Sequence, residues 1–135
     1  MNNAGVMNCP FALSEDGYET QFATNHVSAA HALQLLTEVE YWPTKKKIVL
    51  QLAHFHLTMQ LLPVLEESQP SRVVNVSSWG HNTIYFHGFD LENLNDESKY
   101  SGFISYGRSK AANILFTREL SQRLEQKGVK VRLAW

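Results

Sequence analysis

Two short β-branched runs in the second half of the chain constrain its fold most. Ser71-Arg72-Val73-Val74-Asn75-Val76-Ser77 follows a proline-containing turn, and Val129-Lys130-Val131-Arg132-Leu133-Ala134 comes just before Trp135. Runs of this kind suit buried parallel strands. Between them, Tyr106 to Lys127 reads as one clear helix, with Ala112, Phe116, Leu120 and Leu124 on a single face. Gly128 is its expected C′ stop, and Lys127 stands near the negative end of the helix dipole. Residues 79–104 are rich in Gly, Asn, Asp, Ser and aromatics without a steady period, so a long loop with short helical turns is expected there.

The first half is less regular. Met1 to Val6 reads as the tip of a strand turning into a loop. Ser14 is the expected N-cap of a first helix, with Glu15 and Asp16 in its first turn and Gly17 following. Phe22, Val27, Ala30, Leu33, Leu35 and Leu36 form a rough stripe. Trp42-Pro43 and three adjacent lysines, Lys45 to Lys47, break the pattern. A second apolar helix is expected from about Ile48 to Leu65, with Pro63 distorting its last turn. The order strand, helix, strand, loop, helix, strand is half of a doubly wound α/β sheet, and the 135 residues read as a single incomplete domain.

Composition narrows the function. A formal net charge of −1 lacks the basic surplus of a nucleic-acid or membrane-surface binder. A single cysteine, Cys9, rules out an internal disulfide and fits a reducing, cytoplasmic setting. His54 and His56 are two residues apart and would diverge on a helix, and His26, His31, His81 and His87 form no ligand-like cluster, so no metal is assigned.

Tyr106-Gly107-Arg108-Ser109-Lys110 places a phenol and an ammonium one helical turn apart, on one face. A free tyrosine has a pKa of about 10 and is a poor base at neutral pH. A cation held nearby favours the phenolate and makes proton transfer easier. The pair alone is weak evidence, since an exposed helix face carries the same spacing by chance. Ser77 and Ser78 add context: hydroxyls at the end of a parallel strand lie where α/β sheets place ligands, although many strands simply end in serine.

Taken in order, Asn2-Asn3-Ala4-Gly5, Asn25, Val74-Asn75-Val76-Ser77-Ser78 and Tyr106-x-x-x-Lys110 resemble the short-chain dehydrogenases/reductases. The stretches Asp16 to Val27 and Ser109 to Leu120 are similar to the retinol-dehydrogenase-like branch. The resemblance implies a Rossmann-like α/β fold and interconversion of an alcohol and a carbonyl with NAD(H) or NADP(H), the branch favouring NADP. It implies Tyr106 as general acid/base, Lys110 as its electrostatic partner and holder of the nicotinamide ribose, and Ser78, ahead of Ser77, as the group that orients the substrate oxygen. Asn25 would hold a water linking Lys110 to solvent. Asn3, Ala4 and Gly5 would line the cofactor site, while Asn2 would tie strands together.

The sequence departs from the family in three places. No glycine-rich βαβ unit precedes Asn2, which is expected to compromise dinucleotide binding. About residues 28–53 are unfamiliar and read as an insert splitting the helix that presents Asn25. The chain stops at Trp135, where the family continues over the nicotinamide. The rival expectation is therefore a catalytically inactive fragment or an interaction partner of full-length reductases. The 106–127 helix would be its surface for pairing with another copy, and a membrane anchor would lie outside the given sequence. The substrate would be a small alcohol or carbonyl, lipid-like by branch.

Overall fold

The computed structural model describes residues 1–14, 17–26, 54–129 and 131–134. The insert expected at about 28–53, the stripe from Val27 to Leu36, the break at Trp42–Lys47, the start of the second helix near Ile48, and Glu15, Asp16, Lys130 and Trp135 lie outside the described residues.

The first helix, α1, spans Thr20–Asn25. It starts later than expected, and Ser14 is not its cap. Ser14 instead closes a turn: its Oγ accepts from the Tyr18 amide at 3.2 Å, and Gly17, at φ 79°, completes the reversal. The cap is Glu19, whose fully buried carboxylate accepts from the amides of Gln21 at 2.8 Å and Phe22 at 2.9 Å. An anion there satisfies orphan N–H groups and meets the positive end of the helix. Helix α2 covers His54–Glu67 with Pro63 inside it.

Strand β1, Ser71–Val74, runs parallel to β2, Val131–Ala134, in the register Ser71–Val131 to Val74–Ala134. Asn2 adds a parallel bridge opposite Asn75: its amide donates to the Val74 carbonyl at 2.7 Å, and its carbonyl accepts from the Val76 amide at 2.9 Å. The expected strand thus ends its pairing at Asn75, and Val76 to Ser78 run on from the ladder toward the site. Between β1 and the long helix come a 3-10 turn at Trp79–Asn82, the short helix α3 at Thr83–His87 and a 3-10 turn at Glu97–Lys99.

The long helix α4 spans Gly102–Gln126. It begins four residues before the expected Tyr106, and its first residue, Gly102, is a point of close approach. A Cβ on Gly102 would stand 2.6 Å from Asn8 Oδ1 and 3.1 Å from the Asn8 Cα. The end is as expected. Gly128 takes φ 70°, its amide donates to the Glu125 carbonyl at 3.0 Å, and the Val129 amide donates to the Leu124 carbonyl at 2.9 Å. These two bonds form a Schellman motif, and Val129 packs on the cluster holding Leu124, as that motif favours.

The core has two parts. Phe55, Val73, Phe116, Leu120 and Leu124 form one, while Phe22, Leu94 and Ala112 form the other. The stripe Ala112–Phe116–Leu120–Leu124 is therefore internal, against α2, β1 and the loop. Its side chains, 1% to 7% exposed, are core, so pairing between copies through this helix would not use them.

Candidate active site

Helix α4 sets the site. Tyr106 and Lys110 lie one turn apart on it, and the Lys110 Nζ sits 5.7 Å from the centre of the Tyr106 ring. Lys110 is only 4% exposed, and its ammonium donates to the Val76 carbonyl at 3.2 Å. Burial holds its pKa below the ordinary lysine value, since a charge far from water is disfavoured.

Ser78 reaches the same corner from the strand side. It caps the 3-10 turn, its Oγ accepting from the Gly80 amide at 3.1 Å. A Cβ on Gly80 would stand 3.1 Å from the Tyr106 ring and 3.5 Å from the Ser78 Oγ, so a glycine there lets both groups crowd one point. Gly107 plays the same part on the helix. A methyl on it would overlap the Thr83 hydroxyl and stand 2.5 Å from the Gly80 carbonyl. The two glycines bring the turn carrying Ser78 flush against the helix carrying Tyr106. Ser77 points elsewhere: its Oγ donates to the Lys110 carbonyl at 2.9 Å.

Asn25, the last residue of α1, is fully buried. Its Oδ1 accepts from the Val6 amide at 2.8 Å, and its Nδ2 donates to the Val6 carbonyl at 2.9 Å and to Ser109 Oγ at 3.0 Å. The amide clamps the Val6 segment onto α4. Asn3, Ala4 and Gly5 are exposed just before that clamp. A Cβ on Gly5 would lie 3.0 Å from Asn25 Oδ1 and 3.6 Å from Lys110 Nζ, so the open backbone passes close to the ammonium.

Behind these groups lies a buried polar network, of which sequence reasoning reached only the strand tie at Asn2. The Asn2 Nδ2 donates to Asn75 Oδ1 at 2.6 Å and Thr58 Oγ1 at 3.0 Å, and Asn75 Nδ2 donates to Thr117 Oγ1 at 2.8 Å. Asn2 thereby ties the sheet to α2 and α4. Asn113 donates to the Val76 carbonyl at 3.3 Å, and its Oδ1 lies 2.8 Å from the His26 Nδ1. The His26 pKa is pushed down to about 4, chiefly by burial and against the pull of the Asn113 hydrogen bond. Burial, then the Lys110 charge, pushes His54 down as well. The available signal was spacing: Asn113 and Thr117 follow Lys110 at helical intervals. Among the described residues no group of three His, Cys, Asp or Glu side chains could hold a metal, and no helix is long and apolar enough to cross a membrane.

No family model matches the chain. It is 42% identical over 132 residues to retinol dehydrogenase 14 of Mus musculus, covering 97% of this chain and 31% of that protein. It is 42% identical over 131 residues to retinol dehydrogenase 11 of Mus musculus, covering 96% and 32%. A chloroplastic short-chain dehydrogenase, TIC 32 A of Brassica napus, is 38% identical over 136 residues, covering 97% and 35%. The crystal structure of an uncharacterized protein from Mycobacterium paratuberculosis superposes with a TM-score of 0.66 at 38% identity, covering 98% of this chain and 38% of that one. The chain thus spans about a third of the length of the curated relatives it matches. Over that stretch it has an α/β Rossmann-like fold and belongs to the short-chain dehydrogenases/reductases, on their retinol-dehydrogenase-like branch.

Proposed function

We propose that the chain carries the proton-transfer corner of an oxidoreductase that interconverts an alcohol and a carbonyl with NAD(H) or NADP(H). The observation that carries this reading is the buried ammonium of Lys110 beside the Tyr106 ring, with Ser78 brought to the same ring by Gly80. In the oxidising direction the Tyr106 oxygen takes the proton from the substrate hydroxyl, and in the reducing direction it returns one to the oxygen of the former carbonyl. Lys110 stabilises the negative charge that forms on the phenol oxygen during this exchange. The Ser78 hydroxyl donates to the substrate oxygen and fixes its direction. Asn25 keeps the Val6 segment on the helix, so that Gly5 stays next to Lys110.

The open backbone of Asn3, Ala4 and Gly5 and the ammonium behind it fit the ribose end of a nicotinamide cofactor. Lys110 and Tyr106 would hold that ribose, and the cofactor would supply the hydride chemistry. Likeness to the branch favours NADP over NAD. It also favours a lipid-like substrate, as do the exposed rings of Trp79, Tyr85 and Phe86, which follow Ser78 closely in sequence. The parallel strands would belong to a doubly wound sheet. Pairing between copies through α4 would have to use its outer side, where Leu115 is 48% exposed.

The test is turnover of aldehydes of increasing chain length, retinaldehyde included, by the full chain with NADPH or NADH. Reduction should occur, and Tyr106→Phe should slow it by at least about 100-fold. Unchanged turnover in Tyr106→Phe would overturn the mechanism. Absence of both turnover and cofactor binding would favour the inactive reading.

A further inference from the structure

We propose that Asn113, held in one orientation by His26, is a positioning residue for Lys110. The catalytic meaning of this rests on the reading of Tyr106 and Lys110 given above, but its geometry does not. Lys110 and Asn113 share a face of α4, are 4% and 0% exposed, and both donate to the same Val76 carbonyl, at 3.2 Å and 3.3 Å. A carbonyl oxygen only accepts, so the Asn113 atom facing it must be Nδ2. The Oδ1 then faces His26 Nδ1 at 2.8 Å, and an amide oxygen also only accepts. His26 must therefore carry its proton on Nδ1.

That tautomer has a consequence. The Nε2 of His26 becomes a bare lone pair, buried and without a hydrogen-bond partner among the described residues. The ring is fixed by edge contacts to Phe22 at 5.6 Å and Phe116 at 6.1 Å. A structure that leaves one nitrogen unpartnered to satisfy the other spends its one donor on Asn113.

Were Asn113 to turn over, its Oδ1 would oppose the Val76 carbonyl and offer the Lys110 ammonium a second acceptor deep in the protein. The ammonium would be drawn inward, away from the Tyr106 ring and the open backbone at Gly5. His26 prevents this. The titratable groups around the cluster are Lys110 and Tyr106 on α4, His26 after α1, His54 on α2 and the N-terminal amine, whose charge acts on His54. Among the described residues no carboxylate is ion-paired with any of them. With His26 neutral, Lys110 meets no second cation from that side.

The experiment is nitrogen-15 NMR of the histidine rings and carbon-13 NMR of the lysine side chains in the full chain. His26 should show the Nδ1–H tautomer. In His26→Leu the freed Asn113 should turn, and the Lys110 titration should move up toward that of an ordinary lysine, by about half a pH unit or more. His26→Gln, which can still donate to Asn113, should leave it in place. An Nε2–H tautomer, or an equal Lys110 titration in all three proteins, would overturn the proposal. If His26→Leu does not fold, the tautomer of the unsubstituted chain decides. Neither signal depends on turnover, so a silent enzyme assay with the expected tautomer would count against the enzyme reading alone.

Discussion

The two halves of α4 are built on opposite rules. From Phe116 to Leu124 the buried face is Phe116, Leu120 and Leu124, packed in one cluster with Phe55 of α2 and Val73 of β1, and Thr117 is its one polar member. From Ser105 to Asn113 the buried face is Ser105, Gly107, Ser109, Lys110, Ala111, Ala112 and Asn113, small or polar groups of which Ser109, Lys110 and Asn113 donate to backbone carbonyls. One helix thus anchors the fold with its C-terminal half and, with its N-terminal half, holds a cation that has no carboxylate partner among the described residues. The apolar half makes the burial of Lys110 affordable, because a lone buried ammonium is destabilising by itself.

Truncating the apolar half should have the largest effect. Phe116→Ala removes an edge contact to Phe55 at 4.9 Å and leaves a cavity, and should cost about 3–5 kcal/mol in urea unfolding. A loss below 1 kcal/mol would mean that this half is not the anchor.

Acid should act next, through the polar network. The folded pKa of His26 is lowered to about 4 from 6.5, so between those values the unfolded chain binds a proton that the folded chain does not. Stability is therefore whole above about pH 6.5 and falls as the pH drops toward 4, by roughly 3 kcal/mol for this one residue. His54 is lowered too and adds to the slope. His26→Gln should flatten the slope without abolishing it, and an equally steep slope in that variant would contradict the assignment.

Smaller effects separate packing from chemistry within the polar half. Gly107→Ala drives a methyl into Thr83 and the Gly80 carbonyl, and should cost about 1–3 kcal/mol while pushing the Ser78 turn off the helix. Gly128→Ala, where only φ is at stake, should cost about 1 kcal/mol and leave the site alone. Equal effects of the two on ligand binding would show that the glycine contact does not set the position of Ser78.

The apolar half was the legible one. A four-residue repeat of Ala112, Phe116, Leu120 and Leu124 predicts a helix and its buried face without knowledge of what covers it. The Tyr106–Lys110 spacing and the order of motifs around it led to the family for a similar reason: both are local patterns. What stayed hidden depends on partners distant in the chain. Ser14 fits a capping pattern, but Glu19 caps α1, with Asn95 accepting its amide at 2.8 Å. The helix start at Gly102, four residues before Tyr106, goes with the close approach of Asn8 to that glycine. His26 and Asn113 are lone polar residues in apolar surroundings until the Val76 carbonyl gives them a direction. Asn25 was found by resemblance, but its bonds to Val6 and Ser109 follow only from the packing of α1 on α4.

The measurement that tests the division of α4 most directly is urea unfolding of Lys110→Met beside Leu120→Ala, both read at neutral pH, with turnover followed in parallel. Leu120→Ala should lose about 2–5 kcal/mol. Lys110→Met replaces a buried ammonium, without a carboxylate partner among the described residues, by an apolar chain of similar length, and should keep or gain stability while turnover is lost. A Lys110→Met protein destabilised as much as Leu120→Ala would show that Lys110 holds the fold together, and the separation of anchor from chemistry would fail.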